Sequence, residues 1–431
     1  LSILLLAYKT ERASSSRIKK KWQLLLLTLI VLGSLLQLSL LFYSRAGLGV
    51  MVHRITNPLI SGYFSASLDV YSVWDFIQNY NQNLGNYPMY ARFHPPGAIL
   101  FFNLITAVFQ PLSIYFTSVL NHMPSHVDVA LIWQGLSFVH RLSAIISGLT
   151  IILLANIAIV PLYFCSKLLY GEKVALRSTF LFLFIPSILL FTPLNDVFLP
   201  IFTGASLYFF LKGLKHWKNR YFFISGTILF VGTFFSLTFF SLILFFLLLF
   251  LLTNLKKKKR INPAHFTSFG VFLTGFAVVP ALLFIFGLDF IQMTQQIMEY
   301  HELAQSGRGH LTWFFYNIYD FLLFTGIPLG LFFFYQIFGL VKSFIRDKQL
   351  VLRKTDPVFL AFLLMLFVLD VSGAVRGETA RIWIPYIPIF ILITSNFLTN
   401  KLDLKFNGFI FLLTIQAAQV LIFQTVLVTV W

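Results

Sequence analysis

The sequence predicts an all-α protein, a polytopic bundle of transmembrane helices. Of its 431 residues, 58% are hydrophobic and only 11% are charged, whereas a soluble domain carries about 25% charged residues. Runs of about 20 apolar residues recur along the chain, and each is long enough to cross a bilayer as a helix. We expect helices rather than strands because a helix satisfies its own backbone hydrogen bonds in lipid.

The apolar runs predict about 11 to 13 crossings within a single transmembrane domain of residues 1–431. The candidate spans are 22–43, 97–117, 131–165, 175–191, 197–214, 221–236, 237–254, 266–288, 320–341, 357–372, 381–398 and 407–428. The run 131–165 is too long for one untilted helix, and 118–128 contains no Lys or Arg. The number of crossings there stays open, and 97–117 is either spanning or re-entrant. We interpret 22–43 as an uncleaved span because it is too long for a signal peptide.

Basic residues are concentrated in short polar segments. Six segments hold 25 of the 32 Lys and Arg residues, and every Lys among them: 1–21, 167–177, 212–220, 256–260, 342–354 and 401–405. An excess of Lys and Arg marks the cytoplasmic ends of membrane helices. We therefore predict that these segments, including the basic tail 1–21, are cytoplasmic. The net charge of +17 follows from this pattern, and nucleic acid is not expected as a partner.

Two polar segments between the Lys-rich ones are predicted to be outer loops. Residues 44–96 form the first loop, in which apolar positions recur with helical spacing. Amphipathic helices that lie on a membrane surface have this pattern. Residues 289–319 form the second loop. Because loops commonly carry function, we expect the active site of so hydrophobic a chain on these outer loops.

Several chemistries are absent from the motifs. No Gly-rich loop followed by Lys is present to cradle the phosphates of ATP, which argues against an ATP-driven pump. The Gly-x-Ser-x-Gly nucleophile elbow is also absent. The single cysteine, Cys165, provides neither a disulfide nor a cysteine-based metal site.

The candidate site residues fall in five clusters at the predicted outer ends of spans. They are Asp69 and Asp75 in SLDVYSVWDF, His94 in RFHPPG, Asp196 in TPLNDVFLP, His301, Glu302 and Arg308 in EYHELAQSGRGH, and Arg376, Glu378 and Arg381 in VRGETARIW. Asp69 or Asp75 is a candidate general base toward an acceptor, or a ligand for a divalent cation. Plain structural roles are the alternative, such as solvated acids on an interfacial helix or a helix N-cap at Asp196.

Two of these clusters suggest specific chemistry. His94 precedes two prolines, whose fixed φ angles start a helix sharply and hold the imidazole at the boundary between water and bilayer. Arg376 and Arg381 suit a lipid-linked phosphate, because a guanidinium binds phosphate through two parallel hydrogen bonds. A structural Arg–Glu pair with Glu378 is the alternative interpretation.

The order of these motifs resembles that of the GT-C membrane glycosyltransferases, in particular the protein O-mannosyltransferase and aminoarabinose-transferase group. The resemblance rests on FHPPGAILFF, on VHRLSAIISG with its Arg141, and on TPLNDVFLP, and it covers roughly residues 22–250. It matches Asp69 or Asp75 to the family's acidic residue on the first outer loop and His94 to the start of its Pro-Pro motif. It matches Arg141 to the Arg that opens the next span and Asp196 to the Asp on a later outer turn.

The resemblance implies a GT-C-like fold and a glycosyltransferase that uses a polyprenyl-phosphate-linked sugar. It implies transfer to a glycan, lipid or protein acceptor on the outer face, and we expect that membrane to be the plasma membrane. Asp69 would be the base, and Arg376 and Arg381 would hold the donor phosphate. The cofactor stays open, with a divalent cation as one option. A transporter or flippase for a lipid-linked or anionic substrate is the alternative, and a scaffold without a site is another.

Overall fold

A computed structural model has the predicted all-α architecture. It describes residues 1–12, 15–44, 47, 49–111, 135–256, 263–346 and 355–427, and within these ranges there is no strand. Residues 112–134, which include the predicted outer segment 118–128, lie outside the described residues, as do parts of the basic segments 256–260 and 342–354.

The α-helices are α1 Ser2–Arg12, α2 Ser15–Tyr43, α3 Gly49–Thr56, α4 Tyr63–Ser67, α5 Val73–Gln78, α6 Tyr80–Asn83, α7 Gly97–Phe109, α8 Phe138–Ile157, α9 Ile159–Tyr170, α10 Glu172–Phe182, α11 Pro186–Leu190, α12 Pro200–His216, α13 Asn219–Thr233, α14 Phe240–Lys256, α15 Pro263–Ile285, α16 Phe290–Gln305, α17 His310–Thr325, α18 Ile327–Arg346, α19 Pro357–Ser372, α20 Thr379–Ile382, α21 Ile387–Asn396 and α22 Phe406–Val426. Short 3-10 helices cover Leu84–Asn86, Ala91–Phe93, Asn195–Phe198, Leu237–Phe239 and Ile384–Tyr386, and a π-helix covers Phe397–Lys401.

Among the described residues, seven stretches are long and apolar enough to cross a membrane: Trp22–Tyr43, Phe138–Tyr170, Asn195–His216, Leu237–Lys256, His265–Ile285, Ile327–Arg346 and Phe406–Val426. Two shorter apolar helices, α7 and α19, accompany them. The other predicted spans are short or interrupted helices. Residues 175–191, for example, are divided between α10 and α11 at Pro186, because proline cannot continue a helix.

The start of α7 is fixed against the end of α13. The backbone N–H of Gly97 donates a hydrogen bond to the carbonyl oxygen of Phe234 at 3.0 Å. A Cβ atom at Gly97 would lie 2.4 Å from that same oxygen, so only glycine permits the contact. The Pro95–Pro96 segment is thereby held in place, and His94 just before it is held with it.

Two contacts join polar segments that are distant in the sequence. Asn81 in the predicted first outer loop donates to the carbonyl oxygen of Asp289 in the predicted second, at 2.8 Å. Lys256, in one Lys-rich segment, donates to the carbonyl oxygen of Thr355, beside another, at 3.1 Å. Helix α14 begins at Phe240, in the wall of the cavity described below, and ends at Lys256. Lys256 therefore lies at the end of this helix that is remote from the cavity.

Candidate functional site

Arg381 is the centre of a buried charge cluster. Its Nη2 lies 3.1 Å from Oε2 of Glu378, and its Nε lies 3.5 Å from Oδ2 of Asp196. Only 12% of the Arg381 side chain is exposed. Burying a charge is costly unless it is paired and hydrogen-bonded, and the two carboxylates compensate the charge of Arg381. The structure therefore brings together three predicted site residues from two distant parts of the sequence.

The backbone around Glu378 is bent so that this cluster can form. Glu378 has a φ of +58° and Gly377 a φ of +110°, and α20 begins directly after them. A positive φ is unusual for a residue other than glycine and commonly occurs at functional turns. The turn lets Glu378 contact Arg381 within α20 and also face Arg308, whose Nη2 lies 3.8 Å from its Oε1.

Arg376 and Arg308 hold two turns of the chain together. Nη1 of Arg308 donates to the carbonyl oxygen of Arg376 at 2.5 Å, and Nη1 of Arg376 donates to the carbonyl oxygen of Arg308 at 3.2 Å. The Nε of Arg376 also donates to the carbonyl oxygen of Gly373, at 3.1 Å. The guanidinium of Arg376 is therefore engaged with backbone and positions Arg308.

Two neutral histidines lie beside the charge cluster. The rings of His94 and His301 have centroids 6.5 Å apart, and Nε2 of His301 lies 3.1 Å from the carbonyl oxygen of Phe93. Burial, the largest cause, and the neighbouring His301 and Arg381 together lower the pKa of His94 to about 3. Burial also lowers the pKa of His301. Both imidazoles are therefore uncharged near neutral pH, and Nε2 of His301 carries the hydrogen that Phe93 accepts.

These residues line a cavity of about 520 Å³, a size typical of small-molecule sites, which span roughly 300–1,000 Å³. His94, His301, Arg308, Glu378 and Arg381 form its polar wall. The remaining lining is largely apolar and includes Met89, Leu237, Phe240, Leu244, Met365, Val368 and Leu369. The cavity can thus hold an anionic group next to a hydrophobic one.

A second cavity of about 370 Å³ shares the same charged residues. Arg308, Glu378 and Arg381 line both cavities and form a common charged wall. Asp320 lines the second cavity, and its Oδ2 accepts hydrogen bonds from the backbone N–H of Ala380 at 2.8 Å and from the Thr379 hydroxyl at 3.2 Å. Asp320 was not among the predicted site residues. The signal that could have identified it is an acid inside an apolar run.

Asp75 is exposed and has a local structural role. It lies in the first turn of α5, where its backbone N–H donates to the side chain of the N-cap residue Ser72 at 3.2 Å. A carboxylate in the first turn of a helix is stabilised by the helix dipole. Asp75 lines neither cavity.

Asp69 is also exposed and lines neither cavity, but it lies in a turn between α4 and α5 where it caps no helix. Burial raises the pKa of Tyr87 to about 12, and the negative charge of Asp69 contributes to this increase. Tyr87 stacks on Tyr80, with centroids 5.4 Å apart, and the Tyr80 hydroxyl donates to the carbonyl oxygen of His94 at 2.9 Å. Tyr87 and Tyr80 thus form a chain of contacts from the neighbourhood of Asp69 to His94, which lines the first cavity.

Two other predicted site residues lie apart from the cluster. Arg141 is in the first turn of α8, where its Nε donates to the carbonyl oxygen of Leu136 at 3.0 Å. Glu302 is exposed on α16. Neither residue lines either of these two cavities. Among the described residues, no group of three or more His, Cys, Asp or Glu side chains could hold a metal ion.

Comparisons with known proteins agree with the fold. A family model described as dolichyl-phosphate-mannose-protein mannosyltransferase matches residues 136–284. The archaeal oligosaccharyltransferase AglB from Archaeoglobus fulgidus, solved with an inhibitory peptide and a dolichol-phosphate, superposes with a TM-score of 0.52 at 13% identity. The match covers 94% of this chain and 56% of AglB, so this chain spans little more than half of that protein's length.

Two further structures of the A. fulgidus oligosaccharyltransferase match less well. The complex with Zn and sulfate has a TM-score of 0.47 at 12% identity and covers 91% of this chain and 52% of that one. The structure tethered to an acceptor peptide with the NVT sequon has a TM-score of 0.47 at 13% identity and covers 95% and 56%. A comparison with curated protein sequences finds no significant match. The predicted resemblance to GT-C glycosyltransferases is confirmed by the family match and by the shared fold.

Proposed function

We propose that this protein is a membrane glycosyltransferase that moves a sugar from a polyprenyl-phosphate-linked donor to an acceptor on the outer face. The observation that carries the proposal is the wall formed by Arg308, Glu378 and Arg381, which faces a cavity of about 520 Å³ with an otherwise largely apolar lining. A lipid phosphate combines the two properties that such a cavity accommodates, an anionic head and a hydrophobic chain. The match of residues 136–284 to a mannosyltransferase family supports the same reaction class.

Arg308 is the cation that a donor phosphate reaches most readily. Its side chain is 37% exposed, and its contact with Glu378, at 3.8 Å, is long for an ion pair. Arg381 is held by two carboxylates and is 12% exposed. A phosphate can therefore bind Arg308 by displacing its long contact with Glu378. The positive charge of the more buried Arg381 adds to the attraction.

This assignment differs in one residue from the pair expected from the sequence, Arg376 and Arg381. The guanidinium of Arg376 donates to the carbonyl oxygens of Gly373 and Arg308, and Arg376 does not line the first cavity. We therefore give it the role of positioning Arg308, whose Nη1 donates to the Arg376 carbonyl oxygen.

The transfer step needs a base for the acceptor. The acceptor oxygen bonds to the anomeric carbon while the bond from that carbon to the phosphate oxygen breaks, and the polyprenyl phosphate leaves with the electron pair. The acceptor proton passes to a carboxylate, for which we propose Asp69. Asp75 already stabilises the start of α5, whereas Asp69 caps no helix and is free to accept a proton. Arg308 and Arg381 stabilise the charge of the leaving phosphate.

The experiment is a transfer assay with the purified full chain in lipid nanodiscs. Polyprenyl-phosphate mannose, glucose and arabinose derivatives are supplied in turn with a mixed panel of glycan, lipid and peptide acceptors. We expect turnover with at least one donor, and the active donor identifies the sugar. Movement of intact donor across a vesicle membrane without any transferred sugar would instead identify a flippase and refute the proposal.

A further inference from the structure

We infer that the second cavity is a carbohydrate-binding subsite. This inference rests on the glycosyltransferase function proposed above and adds the class of group that this cavity holds. The cavity measures about 370 Å³ and is lined by Trp313, Tyr316, Tyr319 and Asp320 together with the charged wall. This combination suits a sugar, because aromatic faces pack against its C–H groups and a carboxylate accepts hydrogen bonds from its hydroxyls.

The aromatic residues form a row along α17, called the platform below, in which successive ring planes are inclined by 55° and 89°. Trp313, Tyr316 and Tyr319 recur at every third position and therefore share one face of the helix. The Trp313 and Tyr316 rings have centroids 6.1 Å apart, and those of Tyr316 and Tyr319 are 6.4 Å apart. One face of a pyranose ring presents C–H groups, which pack against aromatic rings, and the tyrosine hydroxyls add polar partners.

Arg308 connects this platform to the proposed phosphate site. Its Cζ lies 5.3 Å from the centroid of the Trp313 ring, a distance at which a guanidinium is attracted to an aromatic face. Arg308 also lines the first cavity. A sugar on Trp313 would therefore lie beside the residue that we assign to the donor phosphate.

Asp320 supplies the hydrogen-bond acceptor that sugar hydroxyls need. Its Oδ2 is oriented by the backbone N–H of Ala380 and by the Thr379 hydroxyl. An ionised carboxylate has about four acceptor positions, so two contacts leave capacity for a ligand. Charge-assisted hydrogen bonds of this kind are stronger than neutral ones.

The alternative is that these aromatic residues simply belong to the belt of Trp and Tyr at a membrane surface. A belt faces lipid headgroups and needs no cavity. Here Asp320 and the wall of Arg308, Glu378 and Arg381 complete the lining. A lipid chain would offer no polar partner to the acceptor positions of Asp320 that its two hydrogen bonds leave open, which is costly. The polar lining therefore favours a sugar over a lipid chain.

The test is saturation-transfer difference NMR on the full chain in nanodiscs with methyl α-D-mannopyranoside, methyl β-D-glucopyranoside and methyl α-L-arabinopyranoside. We expect signal transfer to the ring protons of at least one glycoside. Trp313→Ala and Asp320→Asn should each reduce that signal at least about fivefold, the loss of one stacking or charged contact. Trp313→Phe, which keeps an aromatic face, should retain most of it.

Phe315→Ala is the matched control, because Phe315 is 66% exposed on the same helix and lines neither cavity. Its signal should equal that of the wild type. An unchanged signal in both Trp313→Ala and Asp320→Asn, or no signal with any glycoside, would overturn the inference. Because this readout needs no turnover, it separates a failed subsite from a failed glycosyltransferase assignment.

The sugar has two possible sources, the donor and the acceptor, and a second measurement distinguishes them. If the donor supplies it, Trp313→Ala weakens binding of polyprenyl-phosphate sugar about tenfold and leaves binding of bare polyprenyl phosphate unchanged. If the acceptor supplies it, the variant leaves both lipid affinities unchanged and raises the acceptor KM. Either outcome supports a carbohydrate subsite, whereas equal weakening of bare and sugar-bearing lipid would contradict it.

Discussion

Asp69 and the cluster of Arg308, Glu378 and Arg381 differ in what surrounds their charges. Asp69 is exposed, and no ion pair joins it to a cation among the described residues. Arg308, Glu378 and Arg381, by contrast, form a connected set of ion pairs. Paired buried charges are fixed in position because separating them is costly, whereas a general base needs a carboxylate that is not engaged in such pairs. We therefore expect the cluster to bind and orient the donor and Asp69 to supply the base.

Arg381→Ala should have the largest effect, because it removes the cation that pairs with Asp196 and leaves Glu378 with only its long contact to Arg308. Breaking a buried ion pair costs about 3–5 kcal/mol. We expect the unfolding temperature of the purified protein to fall markedly and transfer to become undetectable. Arg381→Lys keeps the charge and should recover part of the stability. A wild-type unfolding temperature in Arg381→Ala would show that the ion pairs of Arg381 do not contribute to the stability of the fold.

Arg308→Gln should affect binding more than stability. Arg308 is 37% exposed and its ion pair with Glu378 is long, at 3.8 Å. Removing a hydrogen bond to a charged group costs about 1.5–3 kcal/mol. We therefore expect the donor KM to rise between about 10-fold and 100-fold. The unfolding temperature should fall less than in Arg381→Ala, because the variant loses the hydrogen bond to the Arg376 carbonyl oxygen but leaves no buried carboxylate unpaired. An unchanged donor KM would remove Arg308 from the phosphate site.

Gly377→Ala should have a moderate effect on stability and should narrow both cavities. A Cβ atom at Gly377 would lie 2.6 Å from Nη1 of Arg308 and 3.0 Å from the Trp313 ring, and its φ of +110° disfavours any other residue. Backbone strain of this kind costs about 1–3 kcal/mol. Gly307→Ala is the control, because a Cβ atom there meets nothing within 4 Å. Thermal unfolding of the two variants should differ clearly, and equal stabilities would contradict the packing argument.

The smallest effect that we expect is a dependence of the free energy of unfolding on pH. In the folded protein, burial lowers the pKa of His94 to about 3, whereas an unfolded histidine titrates near 6.5. Between these values the unfolded state binds more protons, so the free energy of unfolding decreases as pH falls below about 6.5, by up to about 1.4 kcal/mol per pH unit. His301 has the same sign of shift. His94→Gln should reduce this acid sensitivity in denaturant titrations from pH 7 to 5, and an unchanged slope would mean that His94 is not buried as described.

Much of the fold follows from the sequence because its determinants are local. Apolar runs of sufficient length predicted helices, and Trp22–Tyr43 and Phe406–Val426 closely match two predicted spans. The interruptions were not predicted, although prolines mark them, because a proline within an apolar run can kink a membrane helix as well as end it. Residues 381–398, expected as one span, form α20, a 3-10 helix and α21, with Pro385 and Pro388 near the joins.

The charge pattern predicted part of the charge cluster. Clustered Arg and Glu in VRGETARIW indicated either a phosphate site or a structural Arg–Glu pair, and Glu378 and Arg381 do pair there. Whether they also bind a phosphate stays a prediction. Arg381 also pairs with Asp196, which is distant in the sequence. Residue spacing alone could not have identified this partner. Asp320 was missed for the same reason, since its contact with the backbone of Ala380 exists only in the folded protein.

The most direct test of the account is the transfer rate of Asp69→Asn at saturating donor and acceptor, measured beside Asp75→Asn. We predict that Asp69→Asn slows transfer between about 10²-fold and 10⁴-fold, the usual contribution of a general base, with donor affinity and unfolding temperature unchanged. Asp75→Asn should keep nearly the wild-type rate, because Asp75 only stabilises the start of α5. A wild-type rate in Asp69→Asn would show that the free acid of the first outer segment is not the base.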